Sequence, residues 1–216
     1  MGFSENQIDV IPLGVDQRYF QKIPNPEKQL VLDQLGIKKP FFLFIGSIQP
    51  RKNLARLLEA HSKLPRSLAT QYPLVIAGKV AWDDGKTLSA INLAVSEGRA
   101  QWLHYISERQ KLCLLQSAIG LTFVSLYEGF GLPITEAFAS ELPVITSTCT
   151  SMPEVAGNAA LLVDPNNTQQ ITEALEGLIV DSNLGSDLKT KGLTRASLFT
   201  WEENAKRTFG IYQNMI

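Results

Sequence analysis

Two carboxylates stand eight residues apart in "SLYEGFGLPITEAFAS", residues 125–140, as Glu128 and Glu136. Between them lie Gly129, Phe130, Gly131, Leu132 and Pro133. The two glycines let the backbone turn tightly and approach a ligand, and Pro133 suits the first helical position, where its absent N–H is not missed. Unpaired amides at such a helix start form an anion site. Glu136 would fall in the first turn, where a carboxylate is favourable without any ligand. A phosphate held there would repel Glu136 unless its side chain faced something neutral, and sugar hydroxyls are the obvious neutral donors. Two readings stand: a dipole partner beside a loop acid, or two acids framing a phosphorylated sugar.

A second stretch, "GSIQPRKN" at 46–53, sets Arg51 and Lys52 where a helix begins. The positive end of a helix dipole disfavours cations, so two of them suggest a nearby anion; solvated loop residues are the plain alternative. In the third stretch, "YISERQKL" at 105–112, Ser107 can cap a helix with Glu108 in its first turn, and the backbone of Ile106 is free to meet a ligand's base. His61 and His104 stand alone and are expected to be structural. HExxH, cysteine clusters and Asp-rich loops are absent, so no metal site is expected. The Walker A, GxSxG and complete GxGxxG patterns are also absent, which argues against ATP, serine hydrolysis and NAD.

The elements that must position these stretches follow from the apolar runs. Phe41–Gly46, Leu74–Ala77, Trp102–Ile106, Ile119–Val124, Val144–Thr146 and Ala160–Val163 lack strict alternation, as strands buried on both faces do. Segments 54–64, 108–117 and 169–180 between them carry helical spacing. Strand and helix in succession predict an α/β fold, a Rossmann-like doubly wound parallel sheet of about six strands with helices on both faces. Ligands of such sheets collect at the carboxyl ends of the strands, where all three stretches lie. Residues 1–40 read as a linker leading into the domain, with Ile23–Gln29 a connecting loop; 41–183 form the Rossmann-like domain; 184–216 are helices packing on it, closing with Trp201–Tyr212.

Composition narrows the partners. Lys plus Arg number 20 against 21 Asp plus Glu, so no global charge draws nucleic acid or an anionic membrane, and any anion site must be local. Cys113 and Cys149 show no disulfide or metal spacing, which fits a reducing compartment. The longest apolar runs fall far short of the ~20 residues of a bilayer span, and the N-terminus lacks a signal-peptide pattern. A soluble, cytoplasmic chain is expected.

The ordered set "IPLGVD", "FLFIGSIQPRKNLARLLEAH", "LVIAG", "YEGFGLPITEAFASELPVITS", "SMPEVAGNAALLVDP" and "FTWEENA" resembles the C-terminal half of retaining glycosyltransferases of the GT-B architecture, in family 4. The likeness runs along nearly the whole chain and is strongest to a subgroup carrying "PRKN", which includes polysaccharide-assembly enzymes. It implies two Rossmann-like domains, the C-terminal one binding a nucleotide-sugar donor and the absent N-terminal one the acceptor. Glu128 and Glu136 match the family's Glu-x7-Glu signature. By resemblance Glu128 lies beside the transferred sugar, Glu136 accepts from ribose hydroxyls, and the amides of Gly129, Phe130, Gly131 and Leu132 hold the phosphates. Lys52 matches a phosphate-binding lysine. The family's second cation follows the first-strand glycine, here Gly46, but that position is Ser47, and Arg51 is expected to compensate. The base is expected near the backbone of Ile106.

On this likeness Glu128, Arg51 and Lys52 carry the chemistry. The expected function is transfer of a hexose from UDP-glucose, the first choice, or GDP-mannose to a saccharide or lipid-linked acceptor, with no metal and no cofactor. The isolated chain should bind donor with little or no transfer. Any peripheral contact with the inner membrane would run through the absent domain. Two rivals are a non-catalytic sugar-nucleotide-binding module and a nucleotide-sugar epimerase of related architecture.

Overall fold

The computed structural model describes residues 8–82 and 85–214. Six parallel strands form one sheet in the order β3-β2-β1-β4-β5-β6. They are β1 (Phe42–Ile45), β2 (Leu74–Ala77), β3 (Ala100–His104), β4 (Gly120–Phe123), β5 (Val144–Ser147) and β6 (Leu161–Val163). All six predicted strands are present. The third begins two residues earlier than its apolar run and stops at His104, short of Ile106.

Burial explains the apolar runs. Every residue of β2, β4 and β5 is buried, whereas the edge strands β3 and β6 carry part-exposed positions. Alternate residues of β1 serve opposite faces: Leu43 joins one apolar cluster, and Phe42 and Phe44 the other. Helices α2 (Leu54–Ser62), α4 (Lys86–Ser96) and α8 (Thr168–Val180) cover the Phe44 face. Helices α5 (Glu108–Leu115), α6 (Leu132–Ala139) and α7 (Met152–Ala156) cover the Leu43 face. Helix α3 (Arg66–Gln71) leads into β2, and α9 (Ser182–Ala196) packs chiefly on α6.

The predicted loop at Ile23–Gln29 is corrected: α1 spans Asn25–Gln34, with Pro26 in its first turn. Its apolar residues Leu30, Val31 and Leu32 are contiguous rather than helically spaced, so the period was not visible. Val31, with Ile23 and Ile37, enters the Leu43-side core. The segments at 12–15 and 199–204 meet, since the Val15 amide donates to the Phe199 carbonyl at 2.9 Å and Asn204 of α10 (Trp201–Asn214) donates to the Pro12 carbonyl at 2.7 Å. Among the described residues no helix is long and apolar enough to cross a membrane.

Strand order reverses between β1 and β4, because β1 pairs with β2 on one side and β4 on the other. Such a switch point opens a crevice at the carboxyl ends. The loops after β1 and β4 carry "GSIQPRKN" and "SLYEGFG" into it.

Candidate functional site

After β1 the chain turns through Gly46, whose φ of 153° is left to glycine, and reaches a 3-10 turn at Pro50–Lys52. Arg51 and Lys52 therefore precede the helix and do not stand in its first turn. Asn53 follows in the left-handed conformation, φ 60°, with its side chain buried. Its amide donates to the carbonyls of Val124 at 3.0 Å and Pro165 at 2.7 Å, which pins the turn against the end of β4. Sequence reasoning passed over Asn53, although Asn tolerates φ > 0 better than most residues. The Leu126 amide donates to the Arg51 carbonyl at 2.8 Å and locks the two loops together.

This packing brings three predicted site residues into one constellation. Lys52 Nζ lies 2.6 Å from Glu128 Oε1, and Arg51 Nη1 lies 3.0 Å from Glu128 Oε2. Arg51 also donates to the Tyr127 carbonyl at 2.9 Å and to Gln49 Oε1 at 3.0 Å, and Gln49 in turn donates to Ser47 Oγ at 2.7 Å. Lys52 is 7% exposed, with its ammonium 4.9 Å from the Phe123 ring centroid. A Cβ on Gly46 would stand 3.9 Å from Lys52 Nζ, so the glycine leaves space beside the ammonium. Two cations against one carboxylate leave a net positive charge at the switch point, suited to an anion.

Burial alone would raise the Glu128 carboxyl, but hydrogen bonds and charge from Lys52, with Arg51, hold it below its ordinary 4.5. A folded value below the unfolded one means that the pairing adds stability above that range and loses it as pH falls through the folded value. Thermal unfolding followed from neutral pH downward should show an acid limb below 4.5 that Glu128→Gln makes shallower. Identical limbs in the two proteins would remove Glu128 from the cause.

Glu136 stands apart from this trio. Helix α6 starts at Leu132 behind Gly131, φ 105°, so Glu136 falls in the second turn rather than the predicted first. Its partner is Lys111 on α5 at 2.8 Å, with both side chains largely buried. Lys111 Nζ is also 3.6 Å from Glu108 and 5.1 Å from the Tyr19 ring centroid. The Tyr19 hydroxyl donates to Glu108 at 3.2 Å, and burial, then the Glu136 charge, push its phenol well above the ordinary range. Val15, Tyr19, Glu108, Lys111, Leu132 and Glu136 line a cavity of about 300 Å³. Lys111 and Tyr19 were missed, because neither lies near Glu136 in sequence and each has an ordinary helical context.

Ser107 caps α5 through a capping box, and Glu108 stands in its first turn, as predicted. Ile106 lies in the loop after β3 and packs partly on the Leu43-side core, with no contact to Glu128 or Glu136 among the described interactions. Gly129, Phe130 and Gly131 lead from Glu128 into α6, where Pro133 has no N–H and the Ile134 amide donates to the Gly131 carbonyl at 2.8 Å, which leaves the Leu132 amide at the helix start. Gly129 and Phe130 border a second, mainly apolar cavity of about 550 Å³ reaching to Pro12 and Phe199. His61 is fully buried and bonded to the Tyr72 carbonyl at 2.9 Å, and burial lowers its pKa. His104 is exposed, its ring centroid 3.8 Å from that of Trp102. Among the described residues no group of His, Cys, Asp or Glu could hold a metal ion.

Known proteins carry the same framework. O-antigen chain mannosyltransferase B of Escherichia coli is 34% identical over 173 residues, 80% of this chain and 45% of its own. Lipopolysaccharide glucosyltransferase WaaG of Escherichia coli is 30% identical over 206 residues, 93% of this chain and 50% of its own. A solved glycosyltransferase from Rickettsia africae superposes with a TM-score of 0.85 at 20% identity, over 98% of this chain and 58% of that one. The chain thus spans about half the length of these relatives. The pattern of the family described as Glycosyl transferases group 1 matches residues 28–195, more than half of the sequence, and the chain belongs to that family.

Proposed function

We propose that this chain is the donor-binding half of a retaining glycosyltransferase that moves a hexose from a nucleoside diphosphate sugar to a saccharide or lipid-linked acceptor in polysaccharide assembly. The observation that carries the reading is the Arg51–Glu128–Lys52 constellation at the switch point, one carboxylate between two cations with net positive charge. A diphosphate would take up the unbalanced charge, with the amides of residues 129–132 facing it and Glu128 left beside the sugar. Breaking the anomeric carbon–oxygen bond leaves negative charge on the β-phosphate, which Lys52 and Arg51 would stabilise as it develops. The acceptor hydroxyl attacks on the same face and passes its proton to the departing phosphate. Fixed cations can meet that charge, so donor binding is proposed to need no divalent metal.

Between the two expected hexoses, mannose is favoured over glucose, since the relative at 34% identity is named a mannosyltransferase. Residue by residue nothing selects the base. The acceptor and the transfer activity of the whole protein would involve a partner domain, as the half-length match to the relatives suggests.

Calorimetric titration with EDTA present tests the reading, using UDP, GDP, ADP, UDP-glucose and GDP-mannose. One diphosphate family should bind and names the base; failure of every ligand to bind would sink the proposal. A non-catalytic module would bind the nucleotide with no gain from the sugar, and an epimerase would release an epimerised sugar with free nucleotide. Glu136→Ala should weaken the bound nucleotide by about 1–3 kcal/mol if Glu136 serves the ribose hydroxyls, with a smaller loss for the 2′-deoxynucleotide. Equal losses for the two nucleotides would return Glu136 to a structural pair with Lys111.

A further inference from the structure

The end of β5 and the loop after it, residues 147–151, are bonded through their side chains to the main chain of the loop after β4. Ser147 Oγ donates to the Ser125 carbonyl at 2.6 Å, and Cys149 Sγ lies 3.5 Å from the Leu126 carbonyl. Thr150 Oγ1 accepts from the Glu128 amide at 3.2 Å. Ser151 Oγ lies 3.1 Å from the Glu128 carbonyl and 3.0 Å from that of Phe130. Thr150 holds its place with φ 55°, in the left-handed region that a branched side chain adopts only at a cost. Thr150 is exposed, so burial of its methyl does not repay that conformation. Strain of this sort persists where surrounding structure imposes it and points to a positioning role.

We infer that Thr150 is a positioning residue for Glu128: its hydroxyl fixes the peptide that carries the carboxylate, and Ser151 fixes the peptide on the other side. Arg51 and Lys52 hold the Glu128 side chain, whereas Thr150 and Ser151 hold its backbone. The carboxylate is thereby set from both ends. The inference rests on the proposed function in one respect, that Glu128 serves the sugar and not the nucleotide. Thr150 therefore governs the extra affinity that the sugar adds, and leaves nucleoside diphosphate affinity alone.

Thr150→Val keeps the branched shape and removes the acceptor; Thr150→Ser keeps the acceptor. GDP with GDP-mannose, and UDP with UDP-glucose, are titrated against each variant. In Thr150→Val the ratio of sugar-nucleotide to diphosphate affinity should fall by about tenfold, the span of one hydrogen bond of ordinary net strength. Diphosphate affinity should stay unchanged, and Thr150→Ser should restore the ratio. An independent measurement is hydrogen exchange at the Glu128 amide, which should quicken in Thr150→Val and not in Thr150→Ser. An unchanged ratio, or a parallel loss of both ligands, would overturn the positioning role. If the parent chain binds no nucleotide, the donor-site reading fails by itself, and unaltered exchange at Glu128 would then overturn the backbone clamp as well.

Discussion

Lys52→Met is expected to lower nucleoside diphosphate affinity by about 30- to 100-fold, the size of a charge-assisted hydrogen bond in a shielded site. The same change should cost about 3 kcal/mol of folding stability, because it strips a largely buried carboxylate of its shortest partner. Of its two cations Glu128 keeps Arg51, whose side chain is 41% exposed and so screened by water, while the Lys52 side chain is 9% exposed. Stability loss and binding loss could be confused, and a second change separates them. Lys52→Met with Glu128→Gln removes both charges and should recover much of the stability, since no charge is then left unpaired in the crevice. Binding should not recover, because the cation is still missing. Equal stability in Lys52→Met and the parent would mean that Arg51 alone satisfies Glu128. Recovery of binding in the double variant would mean that the phosphates never engaged Lys52.

What the sequence made legible follows from which forces are local. The strands announced themselves because a parallel sheet covered on both faces needs unbroken apolar runs, and Phe42–Ile45 and Leu74–Ala77 are such runs. The edge strand β3 was placed late, since Ala100 and Gln101 carry no such signal. The Gly-rich turn and Pro133 marked the start of α6 to within one residue, and that residue moves Glu136 from the first turn into the second. That shift matters, because in the second turn the helix dipole no longer accounts for the carboxylate. Its actual counter-charge, Lys111, lies 25 positions back on a different helix. Pairings of that range depend on how α5 and α6 pack on one face of the sheet, which no local pattern encodes. The grip of Thr150 on the Glu128 amide is of the same kind, spanning 22 positions between neighbouring strand ends.

Gly78→Ala is expected to be the most damaging small substitution at the crevice. A Cβ there would stand 1.8 Å from the Gly46 carbonyl oxygen and 2.8 Å from its carbon, and backbone cannot swing aside as a side chain can. The ends of β1 and β2 are held together by the Gly46 amide donating to the Ala77 carbonyl at 3.0 Å, and from the other side the Trp102 indole of β3 donates to the Gly78 carbonyl at 2.9 Å. Relief of the clash must shift Gly46, where the loop that carries Arg51 and Lys52 begins. A loss of about 4 kcal/mol or more follows, the upper range for a single substitution. Donor affinity should fall with it, because the loop that places Lys52 beside Glu128 is displaced at its start. Gly129→Ala is the matched control: a Cβ at Gly129 meets nothing within 4 Å, so stability should change by less than ~0.5 kcal/mol. Urea unfolding of the two variants beside the parent measures both effects. A Gly78→Ala midpoint equal to that of the parent would mean that β1 and β2 part more widely at their ends than these contacts require. The close approach of the two strand ends would then not be what places the loop that carries Lys52.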